Sequence, residues 1–236
     1  MLEDILKAGF SSLALPLSDE QILQYRKYRD FLAETNEVMN LTAITDEDEV
    51  ARLHFLDCAA LLTLIDLKGK ALIDVGTGAG FPGLALKIAE PDINLTLLDS
   101  LDKRIGFLTE TCALLGINGV DCIHARAEEI PITRREKFDV ATSRAVAKLN
   151  VLCELCLPYV KEGGVFIAMK GPNFDEELDE AKKCIKELGG KTEKCALYTI
   201  PGTDVTHSAV IIRKIASTPS KYPRRWAQIK KSPMGR

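Results

Sequence analysis

Residues 74–83, with the sequence DVGTGAGFPG, have the composition of a loop that binds a nucleotide-like ligand. The loop follows a short apolar run and precedes an amphipathic one, which is the strand–loop–helix context that such a site requires. Its glycines permit a sharp turn and let the main chain approach a ligand with no Cβ in the way. The sequence therefore predicts a cofactor bound at the end of a strand.

Two cofactors compete for this loop. Residues 78–83 match the GxGxxG pattern of dinucleotide enzymes, whereas residues 76–80 match the GxGxG pattern of S-adenosylmethionine enzymes. Asp74 favours the second pattern, because a carboxylate there would attract the cationic methionine end of that cofactor and repel a pyrophosphate. Pro82 favours it too, since proline removes an N–H donor that a pyrophosphate would use. An NAD-dependent oxidoreductase of Rossmann fold is the alternative.

Polar residues also lie where later predicted strands end. Asp99 ends the second strand, where an acidic residue accepts hydrogen bonds from both ribose hydroxyls of an adenosine group, in either cofactor. Ala127 and Glu128 follow the third strand, where an adenine ring would lie in a doubly wound sheet. Arg144 ends the fourth strand, either as part of the ligand site or as a surface ion pair.

These positions require strands separated by helices. Apolar runs predict strands at 71–75, 94–99, 120–125, 138–143 and 164–170, with helices near 83–90, 102–115, 148–160 and 174–188. Runs this apolar indicate parallel strands buried on both faces. A last strand at 207–214, with no helix after it, fits an antiparallel insertion at the sheet edge. We therefore predict an α/β, Rossmann-like domain over residues 67–215.

Residues 1–66 predict a helical extension ahead of this domain. Ser18 followed by Gln21 is a capping-box signal, and apolar residues then recur at near-helical spacing. A second helix begins near Thr45, because the acidic residues 46–49 suit the first turn of a helix.

The net charge of −3 conceals an acidic body with a basic tail. Residues 213–236 contain eight Lys or Arg and no acidic residue, which leaves 23 basic and 34 acidic residues in the rest of the chain. Such a tail fits either a polyanionic partner or a solvated, poorly ordered terminus. Three prolines and no periodicity predict an irregular segment at 216–236.

Composition predicts a cytoplasmic protein without a membrane segment. The longest apolar run, residues 58–65, is too short to cross a bilayer, and the acidic N-terminus does not suit a signal peptide. Seven cysteines, an odd number, lie mostly in apolar stretches and indicate buried free thiols. Cys153 and Cys156 form a CxxC pair with no second pair or suitably spaced histidines, so we expect no metal site. A monomer is the default expectation.

Several stretches, in order, resemble the RsmG family of bacterial small-subunit rRNA methyltransferases, also called glucose-inhibited division protein B. The matching motifs are NLT at 40–42, RxHxxD at 52–57, the loop at 74–83, LLDS at 97–100 with KR at 103–104, SRA at 143–145 and MKG at 169–171. The loop alone is shared with many methyltransferases, but the whole set is specific to this family.

The resemblance implies a class I methyltransferase fold, with a mostly parallel seven-stranded sheet and helices on both faces. It also implies methyl transfer from S-adenosylmethionine to N7 of a guanine in the decoding-region loop of 16S rRNA, with 16S rRNA or the small ribosomal subunit as partner. The cofactor contacts implied by motif match, together with those expected from the glycine pattern, are Asp74, Gly76, Gly78, Gly80, Phe81, Asp99, Ser100, Leu101, Ala127, Glu128 and Arg144.

Guanine N7 has a lone pair that is not used in Watson–Crick pairing, so no proton has to be removed before methyl transfer. Catalysis would then depend on proximity and orientation. We expect Arg144, with Lys170, to hold the guanine or its phosphate, and because N7 must stay accessible, a contact to O6 or to phosphate is favoured. His54 and Asp57, three residues apart, either brace the N-terminal helices, which is the favoured interpretation, or face the RNA.

Basic residues at several places are the candidate RNA contacts. They are Arg26, Lys27, Arg29, Lys103, Arg104, Arg134, Arg135 and the tail, in which Tyr222 and Trp226 lie among basic residues and could stack on bases. A non-catalytic RNA-binding module of the same fold is a further alternative, which the intact glycine loop and Asp99 disfavour.

Overall fold

The computed structural model describes residues 1–144 and 147–235. In this part of the chain seven strands form one sheet in the order β3-β2-β1-β4-β5-β7-β6. The strands are β1 (Ala71–Val75), β2 (Asn94–Asp99), β3 (Val120–His124), β4 (Phe138–Arg144), β5 (Val160–Lys170), β6 (Gly190–Thr199) and β7 (Thr206–Lys214). Strands β1 to β5 run parallel, and β7 is antiparallel to both β5 and β6. The predicted Rossmann-like, mostly parallel sheet is confirmed.

Helices cover both faces of this sheet. The α-helices are α1 (Leu2–Ser12), α2 (Asp19–Met39), α3 (Glu47–Glu49), α4 (Asp57–Ala59), α5 (Gly83–Ala89), α6 (Asp102–Leu114), α7 (Leu149–Cys156), α8 (Asp175–Glu187) and α9 (Trp226–Lys231). A π-helical stretch, Val50–Leu56, joins α3 to α4, and a 3₁₀ turn, Ala60–Thr63, follows α4. Within the described residues, no helix combines the length and the apolar character needed to cross a membrane.

Two hydrophobic cores lie on opposite sides of the sheet, because side chains alternate between its faces. Leu72 of β1 belongs to one core, together with Tyr25 of α2 and Phe55 of the π-helical stretch. Ile73 of β1 belongs to the other core, together with Leu152 of α7. The N-terminal helices therefore share a core with the sheet, and α7, α8 and α9 cover the opposite face.

The capping box predicted at Ser18 is confirmed. The Ser18 hydroxyl accepts from the Gln21 amide at 3.2 Å, and the Gln21 carboxamide accepts from the Ser18 amide at 2.8 Å. The same Gln21 side chain donates to the Ile88 carbonyl at 2.8 Å. One residue thus begins α2 and also fixes it against α5, the helix that follows the glycine loop.

The structure differs from the sequence predictions in three places. The residue pattern predicts six strands and does not locate β6, because this edge strand is exposed along much of its length and carries polar residues. The predicted helix at 148–160 ends early, so that β5 begins at Val160. The prediction of an irregular tail is wrong for Trp226–Lys231, which forms α9 and buries Ile229 completely.

Candidate active site

A cavity of about 490 Å³ opens where strands β1 to β4 end, within the usual size range for a small-molecule site. Its lining includes the predicted residues Gly76, Gly78, Phe81, Asp99, Ser100, Ala127, Glu128 and Arg144. Asp74, Gly80, Leu101 and Lys170, which were also predicted, are not part of the lining. The last residue of the SRA motif, Ala145, lies outside the described residues.

The glycine loop has the shape that its composition predicts. Gly80 has a φ of +99°, and a Cβ there would lie 2.9 Å from Leu108 and against the Tyr28 hydroxyl. A Cβ on Gly83 would lie 2.8 Å from both the Asp74 Cβ and Leu97. Only glycine fits at these two positions, so the loop stays tight against the end of β1.

Asp74 supports this loop from behind and does not face the cavity. Its side chain is completely buried, and Oδ2 accepts from the Thr77 hydroxyl at 2.7 Å and from the Gly83 amide at 2.8 Å. Oδ1 has no hydrogen-bond partner among the described residues. Burial raises the pKa of this carboxyl to about 6, although the two hydrogen bonds act against the rise. This position does not support the expected contact with the methionine end of a cofactor.

Asp99 does face the cavity. Its Oδ2 accepts from the Gly78 amide at 2.9 Å and from Arg104 at 3.3 Å, and its Oδ1 accepts from the Leu101 amide at 3.0 Å. A carboxylate has about four acceptor positions, so one stays available to a ribose hydroxyl. Leu101 acts here through its backbone, since its side chain is exposed.

Loops from both faces of the sheet meet at the β3 end of the cavity. Ala127 and Glu128 follow β3, and the Tyr159 hydroxyl donates to the Ala127 carbonyl at 3.0 Å. Leu155 of α7 and Trp226 of α9 also line the cavity. Neither of these two residues was predicted as a cofactor contact.

Arg144 lies at the other end, where it is held by the N-terminal helices. Its Nη1 donates to the Leu53 carbonyl at 3.1 Å and to Asp57 Oδ2 at 3.0 Å, and its Nη2 donates to His54 Nδ1 at 3.0 Å. The guanidinium group also lies 5.0 Å from the centre of the Phe81 ring, on which the His54 ring stacks at 4.3 Å. The geometry thus joins Arg144 to the RxHxxD motif.

His54 is neutral in this arrangement. Burial, together with the smaller effect of the Arg144 charge, lowers its pKa to about 3. Nδ1 lies 3.0 Å from Arg144 and 3.2 Å from the Leu53 carbonyl. Arg144 can only donate, so the shorter contact favours the tautomer with the proton on Nε2, which then donates to the Thr42 hydroxyl at 2.9 Å. The NLT and RxHxxD motifs therefore meet at the cavity wall, and these motifs are the sequence signal for His54 and Thr42.

Asp57 is the centre of a buried polar network. Its Oδ2 accepts from Arg144, and its Oδ1 accepts from the Tyr198 hydroxyl and from His207 Nδ1, both at 2.9 Å. The network connects α4 with β4, β6 and β7, as the bracing interpretation predicts. His54 also lines the cavity, so one residue of the motif faces the cavity and the other lies in the buried network. His54 lies within the π-helical stretch and Asp57 directly follows it, and such distortions are frequent at functional sites.

Lys170 lies apart from this cluster. Its Nζ donates to the Ala147 carbonyl at 2.9 Å and pairs with Glu177 of α8 at 2.7 Å. The structure does not bring Lys170 to the cavity or to Arg144, so its predicted contact with the guanine has no support from geometry.

Most of the predicted RNA-contacting arginines form ion pairs or hydrogen bonds within the chain. Arg26 pairs with Glu3 at 3.0 Å, and Arg134 pairs with Asp121 at 2.8 Å. Arg135 donates to the carbonyls of Thr218, Tyr222 and Pro219 and so ties the tail to the body. Of this group, Arg104 lines the cavity and pairs with Asp99.

Known proteins resemble this chain over nearly its whole length. Residues 21–200 match the family described as rRNA small subunit methyltransferase G, GidB. Proteins named ribosomal RNA small subunit methyltransferase G are 52% identical in Alkaliphilus oremlandii, over 99% of both chains, and 46% identical in Clostridium perfringens, over 98% of both.

Solved structures of low sequence identity share the fold. A SAM-dependent methyltransferase from Aquifex aeolicus superposes with a TM-score of 0.53 at 17% identity, covering 73% of this chain and 96% of its own. TYW2 from M. jannaschii, in complex with AdoMet, superposes with a TM-score of 0.51 at 16% identity, covering 64% of this chain and 72% of its own. The motif resemblance, the sheet order and the full-length relatives agree: the chain belongs to the rRNA small subunit methyltransferase G family.

Proposed function

We propose that this chain transfers a methyl group from S-adenosylmethionine to N7 of a guanine in the decoding-region loop of 16S rRNA. The observation that carries the proposal is the cavity that joins the glycine loop and Asp99 to the cluster of Phe81, His54 and Arg144. The names of the full-length relatives support the rRNA substrate. The comparisons give no support to the NAD-dependent alternative.

The cavity suits the proposed cofactor. Its volume of about 490 Å³ is sufficient for a nucleoside with an amino-acid chain. Asp99 offers an acceptor for a ribose hydroxyl, and the loop around Gly76 and Gly78 presents main chain without side chains. Bound S-adenosylmethionine supplies an electrophilic methyl group.

The end of the cavity beside the N-terminal helices suits a nucleophile that needs no deprotonation. His54 is neutral, but its Nδ1 lone pair accepts from Arg144, so it is not available as a general base. Asp57 and Asp74 are both completely buried. Guanine N7 has a free lone pair, and such a site therefore acts on it by orientation and exclusion of water.

Arg144 is the residue proposed to orient the guanine. Its guanidinium group has five N–H donors, and three of them are used by Leu53, His54 and Asp57. Within the contacts of the described residues, two donors are left for guanine O6 or a phosphate oxygen. The ion pair with Asp57 holds the group in place while those donors act.

A methylation assay tests this function. Purified protein is incubated with labelled S-adenosylmethionine and unmodified 16S rRNA, either free or in small subunits, and the product nucleoside is identified by mass spectrometry. We expect 7-methylguanosine from one nucleotide of the decoding-region loop. Methylation of an exocyclic amine or of a pyrimidine carbon would contradict the proposal, and so would stabilisation of the protein by NADH but not by S-adenosylhomocysteine.

The protein is also proposed to work as a monomer in the cytoplasm. Light scattering tests the oligomeric state, and cell fractionation tests the location.

A further inference from the structure

Trp226 lines the cavity although it belongs to the C-terminal segment. It is the one tryptophan of the chain, lies at the first position of α9 and is 37% exposed. Leu155 of α7 lines the cavity as well. A large aromatic side chain with this much exposed surface, at the wall of a ligand cavity, is available to a planar ligand.

A buried ion pair fixes the position of Trp226. Arg224 contacts both carboxylate oxygens of Glu154, with Nε 2.8 Å from Oε1 and Nη2 2.6 Å from Oε2, and the Arg224 amide also donates to Oε1 at 2.9 Å. The Glu154 side chain is only 1% exposed. Because Trp226 follows Arg224 by two residues and Leu155 follows Glu154 directly, this pairing holds the start of α9 beside α7. Ile229, completely buried, fixes the other end of α9.

The strand order and the core contacts of Leu155 indicate which ligand group Trp226 would meet. Asp99 ends β2, and β3 lies on the side of β2 that is away from β4 and Arg144. Leu155 and Tyr159 belong to the hydrophobic core against which Ala127, from the loop after β3, packs, and Leu155 and Trp226 both line the cavity. A nucleoside whose ribose binds Asp99 and whose reactive end approaches Arg144 therefore extends its base toward Trp226.

We propose that Trp226 is a cofactor-binding residue whose indole packs against the adenine ring of S-adenosylmethionine. This inference rests on the proposed function, because the ribose must bind at Asp99. It gives the C-terminal segment a role in cofactor affinity, in place of the base stacking with RNA that the sequence suggested. Stacking of one base on an aromatic side chain changes affinity by about tenfold or more.

Fluorescence tests the contact directly, since all tryptophan emission comes from residue 226. S-adenosylhomocysteine and adenosine are expected to change the emission in a saturable way and to protect the indole from acrylamide. The dissociation constant from fluorescence should agree with that from calorimetry. Binding measured by calorimetry with unchanged emission and unchanged quenching overturns the proposal and leaves the cofactor site itself intact.

Variants of Trp226 distinguish a role in cofactor binding from a role in RNA binding. We expect Trp226→Ala to weaken the binding of S-adenosylhomocysteine and of adenosine by the same factor, about tenfold. Trp226→Phe should retain most of the affinity for both ligands. Gln228→Ala, an exposed position on the same helix, is the matched control and should bind like the parent chain. A Trp226→Ala protein that binds the cofactor normally but binds 16S rRNA more weakly would assign the indole to RNA. Failure of the parent chain to bind S-adenosylhomocysteine would refute both the proposed cofactor site and this role.

Discussion

Arg144 and Asp57 form an ion pair of 3.0 Å, in which the Asp57 side chain is completely buried. The pair joins the end of β4 to α4, across 87 positions of sequence. Tyr198 and His207 donate to the other oxygen of Asp57, so the carboxylate is supported from three sides. The N-terminal helices thus determine the position of the cation that faces the cavity.

Asp57→Asn should therefore reduce turnover while cofactor affinity stays close to that of the parent chain. The amide keeps the size of the side chain but weakens its hold on Arg144, and misplacement of an orienting group by about 1 Å costs up to about 100-fold in rate. Methylation kinetics and calorimetry with S-adenosylhomocysteine measure the two effects separately. Asp48→Asn is the control, because Asp48 pairs with Arg52 at the surface. Equal losses of turnover in both variants would exclude a specific role for the network.

Much of the fold is predictable because its parallel strands are buried and apolar. Strands β1 and β2 begin and end at the predicted residues, since apolar runs of that length between helices have few other solutions. β6 carries polar residues because it lies at an edge. α9 is short, and long-range contacts such as Arg224 with Glu154 hold it, which spacing along the chain does not indicate.

The predictions for the site were most accurate for residues that lie at the carboxyl end of a predicted strand. Asp99 and Arg144 lie at the cavity, as expected from the carboxyl ends of β2 and β4. Asp74 has the expected place in the chain but points away from the cavity, because alternation along β1 decides which side chains are covered. Partners from distant segments, such as Trp226, required the three-dimensional fold.

Asp74→Asn distinguishes loop support from a direct cofactor contact. The variant removes the charge but keeps an oxygen that accepts from Thr77 and Gly83, so we expect cofactor affinity within about threefold of the parent, less than the value of one hydrogen bond. Asp74→Ala leaves the Gly83 amide without its acceptor and should abolish measurable binding. Calorimetry with S-adenosylhomocysteine decides. A loss of tenfold or more in Asp74→Asn would favour the electrostatic contact expected from the sequence.

Asp99 and its neighbour Arg104 should affect cofactor binding in different ways. Asp99→Asn places an N–H group near the amides of Gly78 and Leu101, so we expect S-adenosylhomocysteine to bind at least about tenfold more weakly. Arg104→Ala removes the longest of the contacts to Asp99, at 3.3 Å, and frees an acceptor position for the second ribose hydroxyl. The affinity of Arg104→Ala for S-adenosylhomocysteine should therefore match that of the parent chain. Titration of both variants with adenosine and with S-adenosylhomocysteine tests this, and a larger loss in Arg104→Ala would show that the ribose does not use that position.

His54 should make stability depend on pH. Its pKa is about 3 in the folded chain against 6.5 in an unfolded one, so the unfolded state takes up a proton first as the pH falls. Its contribution to stability is complete above about pH 6.5 and is lost toward pH 3, by about 1.4 kcal/mol per pH unit. The difference in unfolding free energy between the parent and His54→Gln should shrink by about 2 kcal/mol from pH 7 to pH 5. Denaturant unfolding at both pH values measures it, with His124→Gln, at an exposed histidine, as control. A constant difference would mean that folding leaves the pKa of His54 unchanged.

The C-terminal segment should contribute to stability through residues 218–229 and to RNA binding through the exposed lysines beyond them. Deletion of residues 216–236 leaves Glu154 buried without Arg224, and loss of one partner of a buried pair costs about 3–5 kcal/mol. In a chain of this size that lowers the melting temperature by about 10 °C, so weaker RNA binding by the truncated protein would reflect unfolding as much as lost charge.

The double variant Lys230→Ala, Lys231→Ala keeps the buried contacts and should have an unchanged melting temperature. The slope of log affinity for rRNA against log salt concentration should fall by about one for each lysine removed, because each lysine neutralises about one phosphate. Equal melting temperatures for the parent and the truncated chain would show that α9 does not stabilise the fold, and an unchanged salt dependence in the lysine variant would remove these side chains from the RNA interface.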